Sequence, residues 1–183
     1  MSTLGDEWVE RQTAAMNQRW MHVYPQRGKR SGAYMQPAAY DVHPFVLDVT
    51  DHEAAGEVVE RMAATLGLPD LVVLNAGTYE PVDAATVSLE QYRQHMEVNY
   101  MGVVNCITVI LPRLLARGSG QLVIMGSVAG YRGLPKAAAY GPSKAAVHQV
   151  TRNLAKDLAD SHIRVNAIAP SLTDTPLAQN LLS

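Results

Sequence analysis

The chain has 183 residues, 48% of them hydrophobic, and a formal net charge of −2. This length predicts one domain, and this apolar content supplies a core, so a disordered chain is excluded. Lysines and arginines are scattered rather than gathered in a stripe, which argues against nucleic acid as a partner. The single cysteine, Cys106, rules out an internal disulfide and favours a reducing, cytoplasmic location; we expect it in the core.

The two parts of the chain differ in composition. Both tryptophans and the only phenylalanine fall within the first 45 residues, whereas the rest is rich in Ala, Val and Leu. We therefore expect an atypical N-terminal segment, residues 1–46, and a partial α/β domain, residues 47–183. The acidic start is not expected to be a signal peptide. No apolar run reaches about 18 residues, so no membrane span is expected either.

The first half of the sequence predicts few regular elements before residue 45. Residues 5–21 have helical spacing, and residues 24–44 are expected to be loop or irregular strand. Phe45–Val49 is predicted to be a short buried strand. A capping box at Thr50 and Glu53 then predicts a helix that stops at Gly67 and Pro69. The side chains expected to point inward are Ala54, Ala55, Val58, Val59, Met62 and Leu66.

Three strands of five to six residues are predicted to follow. The first of them is a continuous apolar run, as expected for a strand that is covered by helices on both faces. The predicted strands are Asp70–Leu74, Gln121–Met125 and Ile163–Ile168. Residues 88–117 predict a long helix with a break near Glu97–Asn99. The alternation of strand and helix predicts an α/β fold, a Rossmann-like parallel sheet with helices on both faces.

Another helix is predicted to begin at Tyr140. Pro142 can occupy only the first turn of a helix, so Tyr140 lies at its N-terminal end. The side chains expected on its buried face are Ala145, Ala146, Val150, Leu154 and Leu158. His95, His148 and His162 lack metal-ligand spacing and are expected at the surface, and no metal site is predicted.

Several polar or small residues stand where predicted strands end: Asp48, Asn75, Ala76, Gly77, Ser127 and Pro170. Ligands of parallel sheets bind at this edge. Ser127 precedes Tyr140 by thirteen residues, and Lys144 follows Tyr140 by four, so the tyrosine and the lysine share one helical face. A lysine ammonium there can hold a phenol near its anionic form, which makes a usable proton donor and acceptor.

These residues belong to an ordered set of short motifs. The motifs are Leu47-Asp48-Val49-Thr50, Asn75-Ala76-Gly77, Val98-Asn99, Ser127, Tyr140-x-x-x-Lys144 and Pro170-Ser171-x-x-x-Thr175. Through them, the chain from about Leu47 onward resembles the short-chain dehydrogenases/reductases. The resemblance implies an oxidoreductase with NAD or NADP as cofactor, which moves a hydride between nicotinamide and a small-molecule carbonyl or secondary alcohol.

The resemblance also implies a role for each site residue. Tyr140 would be the general acid/base, Lys144 would lower its pKa and contact the nicotinamide ribose, and Ser127 would hydrogen-bond the substrate oxygen. Asn99 would hold a water in a proton relay. The residues implied in cofactor binding are Asp48 at the adenine, Asn75, Ala76 and Gly77 at its ribose, and Pro170 and Thr175 at the nicotinamide, together with Tyr140 and Lys144.

Three of these positions also allow a structural interpretation. Asn75–Gly77 could be only a turn, Asp48 could cap a helix, and Asn99 could mark a helix kink. The sequence alone leaves these alternatives open.

The chain departs from the resemblance at both ends. The family begins with a strand and a Thr-Gly-x-x-x-Gly-x-Gly turn that holds the pyrophosphate, and nothing before Asp48 matches it. We therefore expect an incomplete sheet that lacks the first two strands and the C-terminal end. The open edge of the strand at Asp70–Leu74 then predicts marginal stability or a homo-oligomer, with the long helices as the contact.

Residues about 13–46 instead resemble a fragment of an oligoendopeptidase F-type metallopeptidase, through Trp20–Tyr34 and Tyr40–Phe45. The His-Glu-x-x-His zinc helix of that family does not follow, so no peptidase activity is expected. Two functions remain open: an active oxidoreductase, and a catalytically silent truncated or fused fragment of the same family.

Overall fold

The computed structural model describes residues 43–171. The helix predicted for residues 5–21, the loop of residues 24–44 except its last two residues, and Thr175 lie outside this range. The regular elements of the described residues are α1 His52–Leu66, β1 Leu71–Leu74, α2 Leu89–Met96, α3 Gly102–Arg117, β2 Gly120–Met125, α4 Tyr140–Asp157 and β3 Ile163–Ile168.

The three strands form one parallel sheet in the order β1-β2-β3. Val73 is paired with Val123, and Val123 with Asn166. Helices connect each strand to the next, so the predicted parallel α/β arrangement is confirmed, and the three predicted strands are observed within one residue of their expected bounds. Because the strands are parallel, their carboxyl ends meet at one edge of the sheet.

The core lies between the sheet and the helices α1 and α3. From α1 it takes the predicted inward side chains Ala55, Val58, Val59 and Met62, with Ala54 and Leu66 partly buried against them. Cys106 is also in this core, as expected, and burial raises the pKa of its thiol to about 11. Gly67, with φ of 82°, ends α1 as predicted.

The strand predicted at Phe45–Val49 is wrong. This segment has no strand pairing among the described residues, although Leu47 and Val49 are buried. The side-chain amide of Asn105 donates to the Val49 carbonyl at 3.0 Å. The backbone groups of a strand need a neighbouring strand as hydrogen-bond partner. Here a side chain of helix α3 takes that place, so the segment is buried without strand pairing.

The start of α1 also differs from the prediction. The N-cap is Asp51, whose carboxylate accepts from the backbone N–H of Ala54 at 3.0 Å. Thr50 instead donates its hydroxyl to Asp48 at 2.8 Å. A carboxylate one residue further along is the better acceptor for the free N–H groups of the first turn. The capping box of the described chain is at Ser88 and Gln91, where α2 begins.

The predicted break in the long helix is confirmed. Glu97–Met101 form a π-helical turn between α2 and α3. By length and composition, the stretch Leu89–Arg117 is apolar enough to cross a membrane, which differs from the sequence-based expectation. One face of α3 nevertheless packs into the core through Ile107, Ile110 and Leu114, as the core helix of an α/β domain does.

The buried face of α4 was predicted correctly only in part. Its buried residues are Ser143, Lys144, Val147, His148 and Thr151, whereas Ala145 is exposed. Of the other predicted residues, Leu158 is buried and Leu154 is partly buried against the core. His148 and His95 are buried rather than at the surface, and His162 is exposed as expected. The prediction counted only apolar side chains. This helix turns polar ones towards the sheet edge, where hydrogen bonds compensate for their burial.

Candidate active site

The carboxyl edge of the sheet gathers the residues that the sequence singled out. Asn75–Gly77 follow β1, Ser127 follows β2, and Pro170 follows β3. Tyr140 is the first residue of α4, and Asn99 lies in the π-helical turn. Parallel strands and the helix start therefore place groups that are far apart in sequence at one edge.

Asn99 links the loop after β1 to the start of α4. Its side chain is fully buried, and its oxygen accepts from the Thr78 backbone N–H at 2.7 Å. Its amide nitrogen donates to the Thr78 carbonyl at 2.9 Å and to the Ser143 hydroxyl at 3.0 Å. Both amide hydrogens thus have a partner. Asn99 occupies a helix irregularity and a site position at once, so the two interpretations of this residue are compatible.

Gly77, in the loop after β1, lies close to the side chains of Asn99 and Lys144. A Cβ at this position would lie 3.2 Å from the Asn99 oxygen and 3.4 Å from Lys144 Nζ. A side chain here would crowd both groups, so the glycine serves a close approach as well as a turn. Asn75 is exposed at the end of β1, and Ala76 packs against the core.

Ser127 is held at two points. Its hydroxyl accepts from the Ala129 N–H at 3.1 Å, and its own backbone N–H donates to His148 Nε2 at 3.2 Å. The Ser127 hydroxyl also interacts with the Tyr140 phenol, which lowers the pKa of the phenol. The serine and the tyrosine predicted to act together therefore lie near each other.

Burial dominates the electrostatics of Tyr140 and Lys144. It raises the pKa of Tyr140, and the interaction with Ser127 offsets this only in part. The ammonium of Lys144 donates to the Met125 carbonyl at 2.8 Å and lies 5.7 Å from the centre of the Tyr140 ring. Burial lowers the pKa of Lys144 to about 8. The expectation that Lys144 lowers the phenol pKa stays a prediction.

The predicted cofactor-binding positions are spread along the same edge. Asp48 is exposed and accepts from Thr50, and it does not cap α1. The Pro170 carbonyl accepts from the Val128 N–H at 3.1 Å. A small cleft opens beside β1; its lining residues are Val49, Val73, Leu74, Asn75, Ala76, Gly102, Val103 and Cys106. A mostly apolar lining with a polar residue at its edge is typical of ligand sites.

Sequence reasoning missed three residues of this site. Tyr79 packs edge-on against Tyr140, with 5.0 Å between ring centres, and its hydroxyl is buried without a partner among the described residues. His95 lies 6.3 Å from the same ring and accepts from the Glu80 N–H. His148 holds Ser127. A signal for His148 existed, since it continues the four-residue spacing of Tyr140 and Lys144 along one helix face.

Known proteins share this chain's sequence and its fold. A family model described as short chain dehydrogenase matches residues 3–183. The 3-oxoacyl-acyl-carrier-protein reductase FabG of Thermotoga maritima is 36% identical over 140 residues, 76% of this chain and 57% of the reductase. The 2-dehydro-3-deoxy-L-rhamnonate dehydrogenase (NAD(+)) of a Sphingomonas species is 34% identical over 76% of this chain and 56% of its own length.

Solved structures agree with these relatives. A gluconate 5-dehydrogenase from Burkholderia cenocepacia, in complex with NADP and tartrate, has a TM-score of 0.71 and 28% identity over 75% of this chain and 54% of that one. An NAD+-bound xylitol dehydrogenase has a TM-score of 0.67 and 32% identity over 70% and 50%. The chain thus spans less than two thirds of the length of the relatives it matches. On the fold, the motifs and these matches together, the chain belongs to the short chain dehydrogenase family.

Proposed function

We propose that this protein is an oxidoreductase that uses NAD or NADP to interconvert a small-molecule carbonyl compound and the corresponding secondary alcohol. The observation that carries the proposal is the meeting of Asn99, Ser127, Tyr140 and Lys144 at the carboxyl edge of the sheet. The serine hydroxyl lies near the phenol, and the buried lysine stands on the same helix face one turn on. This is an arrangement for moving a proton at one oxygen atom.

Tyr140 is the proposed proton donor to the substrate oxygen in reduction, and the acceptor in oxidation. Its raised pKa keeps the phenol protonated at neutral pH, which suits donation. The Ser127 hydroxyl, held by the Ala129 N–H, orients the substrate oxygen towards Tyr140. Since both amide hydrogens of Asn99 have protein partners, a water in a proton relay would be held by the backbone of Asn99.

The cofactor fits the residues of this edge in part. The proposed contacts to the adenosine are Asp48, Asn75, Ala76 and Gly77, and those to the nicotinamide end are Tyr140, Lys144, Pro170 and Thr175. The crowding at Gly77 supports a close backbone approach there, and the mostly apolar cleft beside Ala76 supports a ligand site. When bound, nicotinamide gives or takes the hydride, while the protein supplies position and the proton.

Some finer parts of the proposal rest on single features. A homo-oligomer through the long helices is supported by exposed Tyr92, Met101 and Leu115. A cytoplasmic location is supported by the lone, buried Cys106, and neither a membrane nor nucleic acid is proposed as a partner. Residues 43–171 hold no cluster of three metal-ligating side chains. The metallopeptidase resemblance of residues 13–46 stays a prediction; the family model includes this stretch in its match.

The alternative is a catalytically silent, truncated or fused fragment of the family. It rests on the missing glycine-rich turn, since residues 43–171 contain no such turn between a strand and a helix. Titration of the protein with NADH and with NADPH, followed by nicotinamide fluorescence, separates the two functions. Binding in the micromolar range is expected for the oxidoreductase. Absence of binding up to millimolar cofactor would overturn it and leave the silent fragment.

A further inference from the structure

We propose that His148 is a positioning residue for the Ser127 hydroxyl. The imidazole accepts the backbone N–H of Ser127 and so fixes the backbone from which the serine side chain projects towards Tyr140. The inference deepens the proposed function and rests on it, but its structural half can be measured without turnover.

The imidazole fills the hollow of the loop after β2. His148 is only 2% exposed, and its Nε2 lies 3.2 Å from the Ser127 nitrogen. A Cβ at Gly126 would overlap the ring, and one at Gly130 would lie 2.7 Å from its Cε1. The loop therefore follows the outline of the ring on both sides of Ser127, so the position of the serine depends on the position of the histidine.

The remaining face of the imidazole is covered by the same loop. The Tyr131 ring stacks on it with 4.1 Å between ring centres and 29° between planes. The Arg152 guanidinium lies 5.6 Å from the centre of the Tyr131 ring. Two residues of α4, His148 and Arg152, thus both contact the Tyr131 ring of the loop. With the ring enclosed in this way, rotation about its side-chain bonds is restricted.

The hydrogen bond requires one form of the histidine. An Nε2 that accepts must carry no proton, so the neutral ring has its hydrogen on Nδ1, which is buried near Gly130. The groups that face the ring are Lys144 and Arg152 from α4 and Tyr131 with the Gly130 backbone from the loop. Burial, then Arg152 and Lys144, lower the pKa of His148, and the Gly130 backbone opposes them in part.

Acidic pH should therefore break the hydrogen bond between the Ser127 N–H and His148 Nε2. Above the ordinary histidine pKa of about 6.5 the ring is neutral and accepts the Ser127 N–H. As pH falls through the lowered pKa of the folded state, Nε2 gains a proton and becomes a donor that faces another donor. The two groups then separate, and the hydroxyl of Ser127 loses its fixed position.

The experiment compares variants of the full chain by amide hydrogen exchange at Ser127 from pH 5 to pH 8. His148→Leu keeps the volume and removes the acceptor, and His148→Gln places a side-chain oxygen near the Nε2 position. Thr151→Val is the matched control, because Thr151 is buried on the same helix and bonds only the Val147 carbonyl. Protection of Ser127 should fall roughly tenfold in His148→Leu, recover in His148→Gln and stay unchanged in Thr151→Val.

Two outcomes would overturn the inference. One is equal Ser127 protection in wild type and His148→Leu; the other is wild-type protection, corrected for intrinsic exchange, that stays constant when the series is extended down to the pH at which the whole protein unfolds. The wild-type pH series decides the matter even if His148→Leu fails to fold. Where turnover is measurable, kcat should fall in His148→Leu with an unchanged KM for the cofactor, and return in His148→Gln. If the wild-type protein shows no turnover, the proposed function is wrong, but the exchange experiment still tests how His148 positions Ser127.

Discussion

The central strand β2 and the edge strand β1 differ in how completely their surroundings are built. Strand β2 is paired on both edges, and the loop that follows it is bonded to Ile168, Pro170 and His148. The outer edge of β1 has no strand partner within residues 43–171. Leu71 and Val73 are each 37% exposed there. An apolar cleft of about 420 Å³ runs along this edge, between α1 and α3.

This difference separates proton chemistry from cofactor binding. The groups proposed to move the proton lie between β2 and α4, where hydrogen bonds hold Asn99, Ser127 and Lys144. Two polar atoms there, Tyr79 Oη and His148 Nδ1, are buried without a partner among the described residues. The residues proposed to hold the adenosine lie beside β1, where apolar side chains are left in the open. A catalytic arrangement can therefore be well formed while the neighbouring binding surface is incomplete. The following predictions test this contrast from the largest expected effect to the smallest.

Asn99→Leu should have the largest effect. The leucine would leave the Thr78 N–H and the Thr78 carbonyl without their present partner in a partly buried place. The Ser143 hydroxyl would keep only its bond to the Tyr140 carbonyl. We expect the free energy of unfolding to fall by about 5 kcal/mol, at about 1–3 kcal/mol for each unpaired group. Urea denaturation measures it, with Gln94→Leu on exposed α2 surface as control. A loss below about 1 kcal/mol would show that the site is not a rigid network.

Tyr140→Phe should abolish proton transfer and spare the fold. Turnover of a panel of aldehydes and ketones, followed by nicotinamide absorbance, should fall by about a thousandfold. Binding of NADH should change little, because the phenyl ring keeps its contacts with Tyr79 and Lys144. Tyr92→Phe, at the surface of α2, is the matched control. Turnover equal to wild type in Tyr140→Phe would remove this residue from the proposed chemistry.

The burial of Lys144 predicts a stability that depends on pH. Its pKa is about 8 in the folded state and 10.5 in the unfolded state, so the unfolded chain binds more protons between these values. Stability should therefore rise with pH across this window, by about 3 kcal/mol from this group alone. The raised pKa of Tyr140 acts in the opposite direction above pH 10.

Lys144→Met isolates the contribution of the lysine. Between pH 7.5 and pH 9.5, the unfolding free energy of wild type should rise relative to that of Lys144→Met. Chemical denaturation at a series of pH values measures the difference, and Lys156→Met, at an exposed position of the same helix, controls for a general effect of lost charge. Parallel curves for wild type and Lys144→Met would mean that the ammonium is better solvated than its 5% exposure indicates.

The smallest expected effect comes from a direct comparison of the adjacent strands β1 and β2. Val73 and Val123 are register partners in adjacent strands, but Val73 is 37% exposed and Val123 9%. Val123→Ala should cost about 2 kcal/mol of unfolding free energy, and Val73→Ala about 0.5 kcal/mol, since less apolar area is buried there. Equal costs, measured in urea, would indicate that the edge of β1 is covered in solution, and light scattering would then test for a second copy.

The sequence predicted best where the signal was local and strong. Short segments rich in Val, Leu and Ile identified β1, β2 and β3, and Pro142 located the start of α4 at Tyr140. The break at Glu97–Asn99 was likewise visible, as was the meeting of Ser127 with Tyr140. These features depend on few residues each, and the tertiary structure does not override them.

The prediction failed where a tertiary partner decides. Phe45–Val49 has the composition of a strand, but pairing needs a neighbour that no residue of the segment can supply. His95 and His148 are polar, so an apolar pattern places them outside, although backbone N–H groups of distant loops satisfy them inside. The burial that raises the pKa of Tyr140 likewise depends on tertiary packing, about which a four-residue spacing contains no information.

Hydrogen bonds between the end of β3 and the loop after β2 couple the backbone around Ser127 to the backbone that leaves β3. Gly126 N–H is bonded to the Ile168 carbonyl at 2.7 Å, and Val128 N–H to the Pro170 carbonyl at 3.1 Å. These bonds lie on either side of Ser127, so the backbone that leaves β3 is a tether with the serine between its two attachment points. A displacement of the backbone between Ile168 and Pro170 would therefore be passed to the backbone on both sides of Ser127.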